Sequence, residues 1–264
     1  MLTEQVQANS IDKHFKQAFN KQQDFVSPDS LQLQQFQNTF TQELQSSNQD
    51  KVWMSLGFKR QAESPFIFLS EMETQGRGFI VLRSENSKPW LLQAPHAKSD
   101  LYTGKIASRL FLEGEFKAVI WNSLPRKKID VAHLYQSHWQ AVTQAFSVQY
   151  PQGRIIQIHG FSAKKRKSLV AQNSDMIVSA GHLFPPLWVQ KVVECLKAKT
   201  VLKVSLYSYD VNELGATKNS QSQLLQSLGH QGFIHLEMNK KLREDLLKNA
   251  ALRKQLLVCL AEDE

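Results

Sequence analysis

The sequence predicts an α/β fold: a mixed, largely parallel sheet with helices on both faces, preceded by a helical lead-in. Two observations predict it. Short apolar runs such as Phe79-Ile80-Val81-Leu82 have the length of buried strands. They alternate with longer segments whose apolar residues recur at helical spacing, the pattern of βα units stacked into one sheet.

Residues 1 to about 50 are rich in Gln, Asn and Ser. Phe15, Phe19, Leu31, Phe36, Phe40 and Leu44 fit two short amphipathic helices, broken at Ser27-Pro28-Asp29-Ser30. This stretch reads as a helical extension covering one side of a main domain over 51–264. Phe66–Leu69, Phe79–Leu82 and Trp90–Leu92 then read as strands, separated by Gly76-Arg77-Gly78 and Asn86-Ser87-Lys88-Pro89. Further along come a helix over about 102–111, strand Ala118–Trp121, a helix near 131–146 and strands Ile155–His159 and Met176–Ser179. Helix 186–198, strand Val201–Ser205, helix 221–228, strand Phe233–Met238 and a helix from about Lys241 complete the order.

The chain has 264 residues, 42% hydrophobic and 21% charged, enough to bury a core without staples. Its net charge of +8 favours an anionic partner without choosing one. No apolar run reaches the length of a membrane span, and no signal peptide is visible. The chain as given therefore reads as soluble and cytoplasmic, or as exported if a leader has been trimmed. Cys195 and Cys259 exclude a Cys-rich zinc site, and whether they pair is open. No Gly-rich phosphate loop, Gly-x-Ser-x-Gly elbow or His-Glu-x-x-His helix is present, which removes nucleotide-binding, serine-hydrolase and zincin readings.

In open α/β sheets ligands gather outside the carboxyl ends of strands. At such ends lie His96 and Asp100, Asn122 and Arg126, His159, and Glu237. A mononuclear zinc hydrolase needs such a set: three ligands, commonly two His and a carboxylate, with a separate Glu to take a proton from water. His96, Asp100 and His159 are the candidate ligands, Glu237 the candidate base, and Arg126 the candidate grip on a substrate carboxylate. Each has an ordinary alternative. The histidines could be hydrogen-bonded structural residues, Asp100 a helix cap, and Glu237 a surface partner of Lys240 or Lys241.

These residues carry a resemblance. The chain is similar to the zinc-dependent N-formylglutamate amidohydrolases and the phage-type poly-γ-glutamate hydrolases, which share a carboxypeptidase-like phosphorylase/hydrolase fold. The matching pieces are Ala94-Pro95-His96 with Asp100, Asn122 with Arg126-x3-Asp130, Ile158-His159-Gly160, and Phe233–Met238 running on to Leu242-Arg243. The resemblance implies one zinc per chain on His96, Asp100 and His159, Glu237 as general base, and Arg126 with Asn122 at the substrate carboxylate or oxyanion. The amidohydrolases follow Arg-x3-Asp with Leu-Asn-Arg, where this chain has Val131-Ala132-His133.

The polar connection 212–221 offers Lys218 and Asn219 as substrate contacts. His235 shares a strand face with Glu237 and is placed to tune it. Lys164-Lys165-Arg166-Lys167 is the densest positive run, but no aromatics interleave with it, which counts against a nucleic-acid groove. The expected activity is hydrolysis of an amide or peptide bond in a small acidic or peptide-like substrate. The rival expectation is a non-catalytic binder holding an anionic polymer on this basic loop.

Overall fold

The computed structural model describes residues 4–19, 24–45, 49–85 and 87–262. Asn86, in the turn expected before Trp90, lies outside them, as do parts of the 1–50 extension. In chain order the strands are β1 (Phe58–Glu63), β2 (Phe66–Glu71), β3 (Phe79–Arg83), β4 (Lys88–Ala94), β5 (Phe116–Trp121), β6 (Arg154–Gly160), β7 (Met176–Ser179), β8 (Val204–Leu206) and β9 (Phe233–Met238). The helices are α1 (Glu4–Ala18), α2 (Ser30–Leu44), α3 (Asp50–Ser55), α4 (Thr103–Glu113), α5 (His138–Gln149), α6 (Leu169–Asn173), α7 (Leu187–Lys199), α8 (Ser220–Ser227), α9 (Lys240–Lys248) and α10 (Ala250–Leu260).

Among the described residues the strands form a single sheet in the order β1-β2-β3-β5-β4-β6-β9-β7-β8. The mixed α/β expectation holds. The parallel pairings β5-β4, β4-β6 and β6-β9 occupy the centre. Antiparallel pairings join β1, β2, β3 and β5 at one side and β9 to β7 at the other. β5, β4, β6 and β9 therefore run side by side in one direction, with all four carboxyl ends on one rim.

Alternation along each strand divides the core into two layers. Leu92, Val119, Ile156 and Ile234 face α4, α7, α9 and α10, while Leu91, Ile120, Ile155 and Phe233 face α2, α5 and α8. The N-terminal helices do not cover one side only. Ile11 of α1 joins the first layer, whereas Phe36 and Phe40 of α2 pack in the second. Alternate apolar faces on two helices separated by a break let each seek a different layer, which periodicity alone does not reveal.

Local chemistry sets several boundaries differently from the sequence reading. The expected helix over 131–146 is a 3-10 turn at Val131–His133 followed by α5, because Ser137 caps a new helix by accepting from Gln140 N. The expected single terminal helix is two, since Asn249 caps α10 through Leu252 N. β1 was not expected: only Phe58 of its six residues is buried, so its apolar signal is faint. Cys195 and Cys259 form a disulfide joining α7 to α10.

Candidate metal centre

The second layer changes character toward the rim. On β6 the residues of that face run Ile155, Gln157, His159, and on β9 they run Phe233, His235, Glu237. Gln157 lies opposite His235 and His159 opposite Glu237 in the pairing. The period-2 pattern thus carries an apolar floor into a buried polar end.

His96 and Asp100 share the turn between β4 and α4, where His96 O accepts from Ser99 N and Asp100 N. Asp100 does not cap α4 with its side chain; its Oδ2 accepts from Gly160 N at 2.9 Å, across the end of β6. Arg243 fastens the same two segments, donating to Leu101 O and Phe161 O from a buried position. A Cβ at residue 160 would run into the Arg243 guanidinium, so glycine here leaves room for that side chain.

The structure brings His96, Asp100 and His159 together. The two histidine Nδ1 atoms lie 3.1 Å apart. Asp100 Oδ2 lies 3.4 Å from His96 Nδ1 and 3.7 Å from His159 Nδ1. The far nitrogens of both rings are engaged. His96 Nε2 donates to Asp130 Oδ1 at 2.8 Å, and His159 Nε2 donates to Gln157 Oε1 at 2.8 Å. Each ring therefore turns an Nδ1 toward the other and toward a carboxylate oxygen. Two such lone pairs and an anionic oxygen in mutual contact repel unless a cation or a proton lies among them. The two-nitrogen, one-oxygen donor set, with each outer N–H tied to an acceptor, fits zinc.

The same contacts shift the pKa values of the cluster. Burial depresses His96, but its bonds to Asp100 and Asp130 raise its pKa on balance. Burial alone would raise Asp100 and Asp130; their histidine partners hold both low, Asp130 at about 2. His159 falls to about 4, chiefly from burial.

His235 and Glu237 continue the cluster. The His235 ring is 4.6 Å from that of His159, and its Nε2 lies 3.9 Å from Glu237 Oε1, beyond hydrogen-bond reach. Burial drives His235 well below the ordinary histidine range, so it is neutral. Burial, with Asp100 adding its charge, pushes Glu237 up to about 7. Glu237 Oε2 and His235 Nδ1 are buried without a hydrogen-bond partner. Lys240 and Lys241 pair instead with Glu244 and Asp245, so neither neutralises Glu237.

Arg126 stands at the edge, its side chain 48% exposed, with Nε on Asp130 Oδ2 at 2.9 Å. Asn122 is buried and organises the loop after β5, accepting from Leu124 N and donating to Ile129 O. Lys218 is exposed, and its carbonyl accepts from His133 Nδ1. Asn219 is buried rather than on the loop surface: it caps α8 and donates to Gln157 Oε1. In the basic run, Arg166 is partly covered beside Glu213 at 3.7 Å, and its neighbours Lys164, Lys165 and Lys167 are exposed. Sequence reasoning named Asp130 only as a motif position and passed over Gln157. The signal for Gln157 was a lone amide at an inward position of the otherwise apolar run Ile155–Ile158.

No helix among the described residues is long and apolar enough to cross a membrane. No protein-family model matches the sequence, and no curated protein matches it. Solved structures do. Succinylglutamate desuccinylase from Vibrio parahaemolyticus aligns at 11% identity and a TM-score of 0.47, covering 78% of this chain and 77% of its own. The tripeptide-bound cell shape determinant protein Csd4 from Helicobacter pylori aligns at 12% identity and 0.43, covering 66% and 50%. N-formylglutamate amidohydrolase from Ralstonia eutropha aligns at 11% identity and 0.44, covering 70% and 96%.

Proposed function

We propose that this chain is a zinc-dependent hydrolase of an amide or peptide bond in a small, carboxylate-bearing substrate. His96, Asp100 and His159 would hold one zinc. Bound there, zinc supplies Lewis-acid polarisation of a carbonyl and makes a water acidic enough to react near neutral pH.

One observation carries the reading. Glu237 is a buried carboxyl with an unpartnered Oε2 that converges on His159, one of the three proposed ligands. A general base must present a free acceptor oxygen to the proton it takes. A carboxyl kept from salt bridges at burial cost is poorly explained by stability, because an unsatisfied buried oxygen is destabilising by about 1–3 kcal/mol. Glu237 accepts the proton of the attacking water and returns it to the leaving amine. Neutral His235 beside it adds no competing charge. Arg126, held by Asp130 at the exposed edge, receives the substrate carboxylate, and the net charge of +8 draws anions toward it. Asn122 keeps the Arg126 loop in place.

Glutamyl and cell-wall-like peptides are the substrate class this arrangement favours. The Cys195–Cys259 disulfide favours an oxidising, exported location over the cytoplasm. Elemental analysis of protein purified without chelator, with hydrolysis assays on N-acyl-glutamates and γ-glutamyl dipeptides, tests the proposal. About one zinc per chain and hydrolysis of one such class are expected. Failure to take up zinc from solution would refute it.

A further inference from the structure

Behind His159 lies a layer of buried amides whose directions can be worked out from groups that cannot turn. The Trp139 carbonyl can only accept, so Thr143 spends its hydroxyl hydrogen there and accepts from Gln93 Nε2. Gln93 must then present Oε1 to Gln157 Nε2 at 2.9 Å. A second line starts at the Val131 carbonyl, which takes Gln221 Nε2 and so turns Gln221 Oε1 toward the same Gln157 Nε2 at 3.2 Å. A third starts from backbone N–H groups. Gln221 N and Ser222 N donate to Asn219 Oδ1, which leaves Asn219 Nδ2 to donate to Gln157 Oε1 at 2.6 Å. All three lines aim Gln157 Oε1 at His159 Nε2. Gln93, Thr143, Gln157, Asn219 and Gln221 are all buried, so water cannot relieve a reversed amide.

We propose that Asn219 and Gln157 are positioning residues that hold His159 as its Nε2-protonated tautomer, so that Nδ1 alone offers a lone pair toward His96 and Asp100. The tautomer stands on the hydrogen-bond directions; its consequence for metal binding rests on the zinc reading above. The relay also gives Asn219 a task beyond capping α8: the cap uses its oxygen and the relay uses its amide hydrogens.

Asn219→Asp separates the two tasks. Aspartate caps as well as asparagine, but it sets an acceptor against Gln157 Oε1. Gln93 and Gln221 still hold Gln157 Nε2 and oppose a reversal. The repulsion is relieved by drawing Gln157 Oε1 away from His159 Nε2, which then loses the acceptor that fixes its proton there. Zinc affinity should fall about tenfold or more, the scale for losing the partner of a ligating histidine. The sign is informative, because an added negative charge near a cation would by itself tighten binding. Asn249→Asp, the same cap exchange on α10, should leave affinity unchanged, and Asn219→Gly, a tolerated cap that loses the side-chain donor without adding charge, should weaken binding as Asn219→Asp does. Long-range nitrogen-15 spectra of the metal-free full chain read the tautomer directly. They should show Nε2–H at His159 in the unaltered protein and loss of that state in Asn219→Asp.

An Nδ1–H tautomer in the unaltered protein overturns the proposal, as does a tautomer indifferent to both Asn219 variants. If the tautomer follows Asn219 but the chain takes up no zinc, the relay stands and the zinc reading falls. If zinc binds with a tautomer that ignores Asn219, the reverse holds.

Discussion

Arg126 and His96 are joined through one carboxylate: Asp130 gives Oδ2 to Arg126 Nε and Oδ1 to His96 Nε2. The grip proposed for substrate and a ligand proposed for metal thus share a support while using separate atoms. Because Arg126 is half-exposed, its pair with Asp130 adds little to stability.

Arg126→Ala should therefore fold normally and retain zinc, since Asp130 still holds His96. It should raise KM for carboxylate-bearing substrates about ten- to hundredfold, the equivalent of one charged hydrogen bond worth roughly 1.5–3 kcal/mol. Steady-state kinetics alongside zinc content check this, and unchanged KM on every such substrate removes Arg126 from the site.

Glu237→Gln keeps shape and hydrogen bonding but cannot take a proton. It should retain zinc and lose about 10²-fold or more in kcat. Asp100→Asn should instead lose zinc affinity, since a neutral amide oxygen is a poor ligand. Zinc loss in Glu237→Gln with retention in Asp100→Asn would exchange their roles. Full activity in both on a confirmed substrate would sink the mechanism.

His159→Ala should lose the metal, whereas His14→Ala should keep it. His14 is just as buried, but it bonds to Glu63 and stacks on Phe68, a structural use of the same residue type. Equal zinc content in the two variants would show that the converging Nδ1 atoms hold nothing.

His138 governs an acid response away from the site. Burial lowers its pKa to about 3 from 6.5, beside the rings of Phe36 and Phe58. The folded chain keeps it neutral while the unfolded chain protonates it below 6.5. Its contribution is thus fully present above pH 6.5 and disappears progressively as pH falls toward 3. The change amounts to a few kcal/mol. His138→Phe should flatten the dependence of urea midpoints on pH across that window, and an unaltered slope would contradict this.

Much of the framework was visible in the sequence because apolar runs bounded by turns have few alternatives. Met176–Ser179 and Phe233–Met238 coincide with the strands read from sequence. The rim was visible for a related reason: His96, His159 and Glu237 interrupt or terminate runs that are otherwise apolar. Asp130 and Asn219 were not visible in their structural roles. Their partners His96 and Gln157 lie 34 and 62 residues away, and the β5-β4-β6-β9 order is not chain order. β1 was missed because an edge strand buries too little to imprint a pattern, and the two N-terminal helices were read without the layer each enters, which periodicity does not encode.

The disulfide has a topological consequence. Cys195 and Cys259 close a covalent ring spanning 64 positions, and β8, α8 and β9 lie within it, so Asn219 and Glu237 both ride on the ring. A single nick inside it, for instance at fully exposed Val201, opens the ring without releasing either piece. The clipped protein would keep its mass under non-reducing conditions and separate into two fragments only after thiol treatment. The strand bearing Glu237 is thereby moored to the body of the protein independently of the continuity of its own backbone.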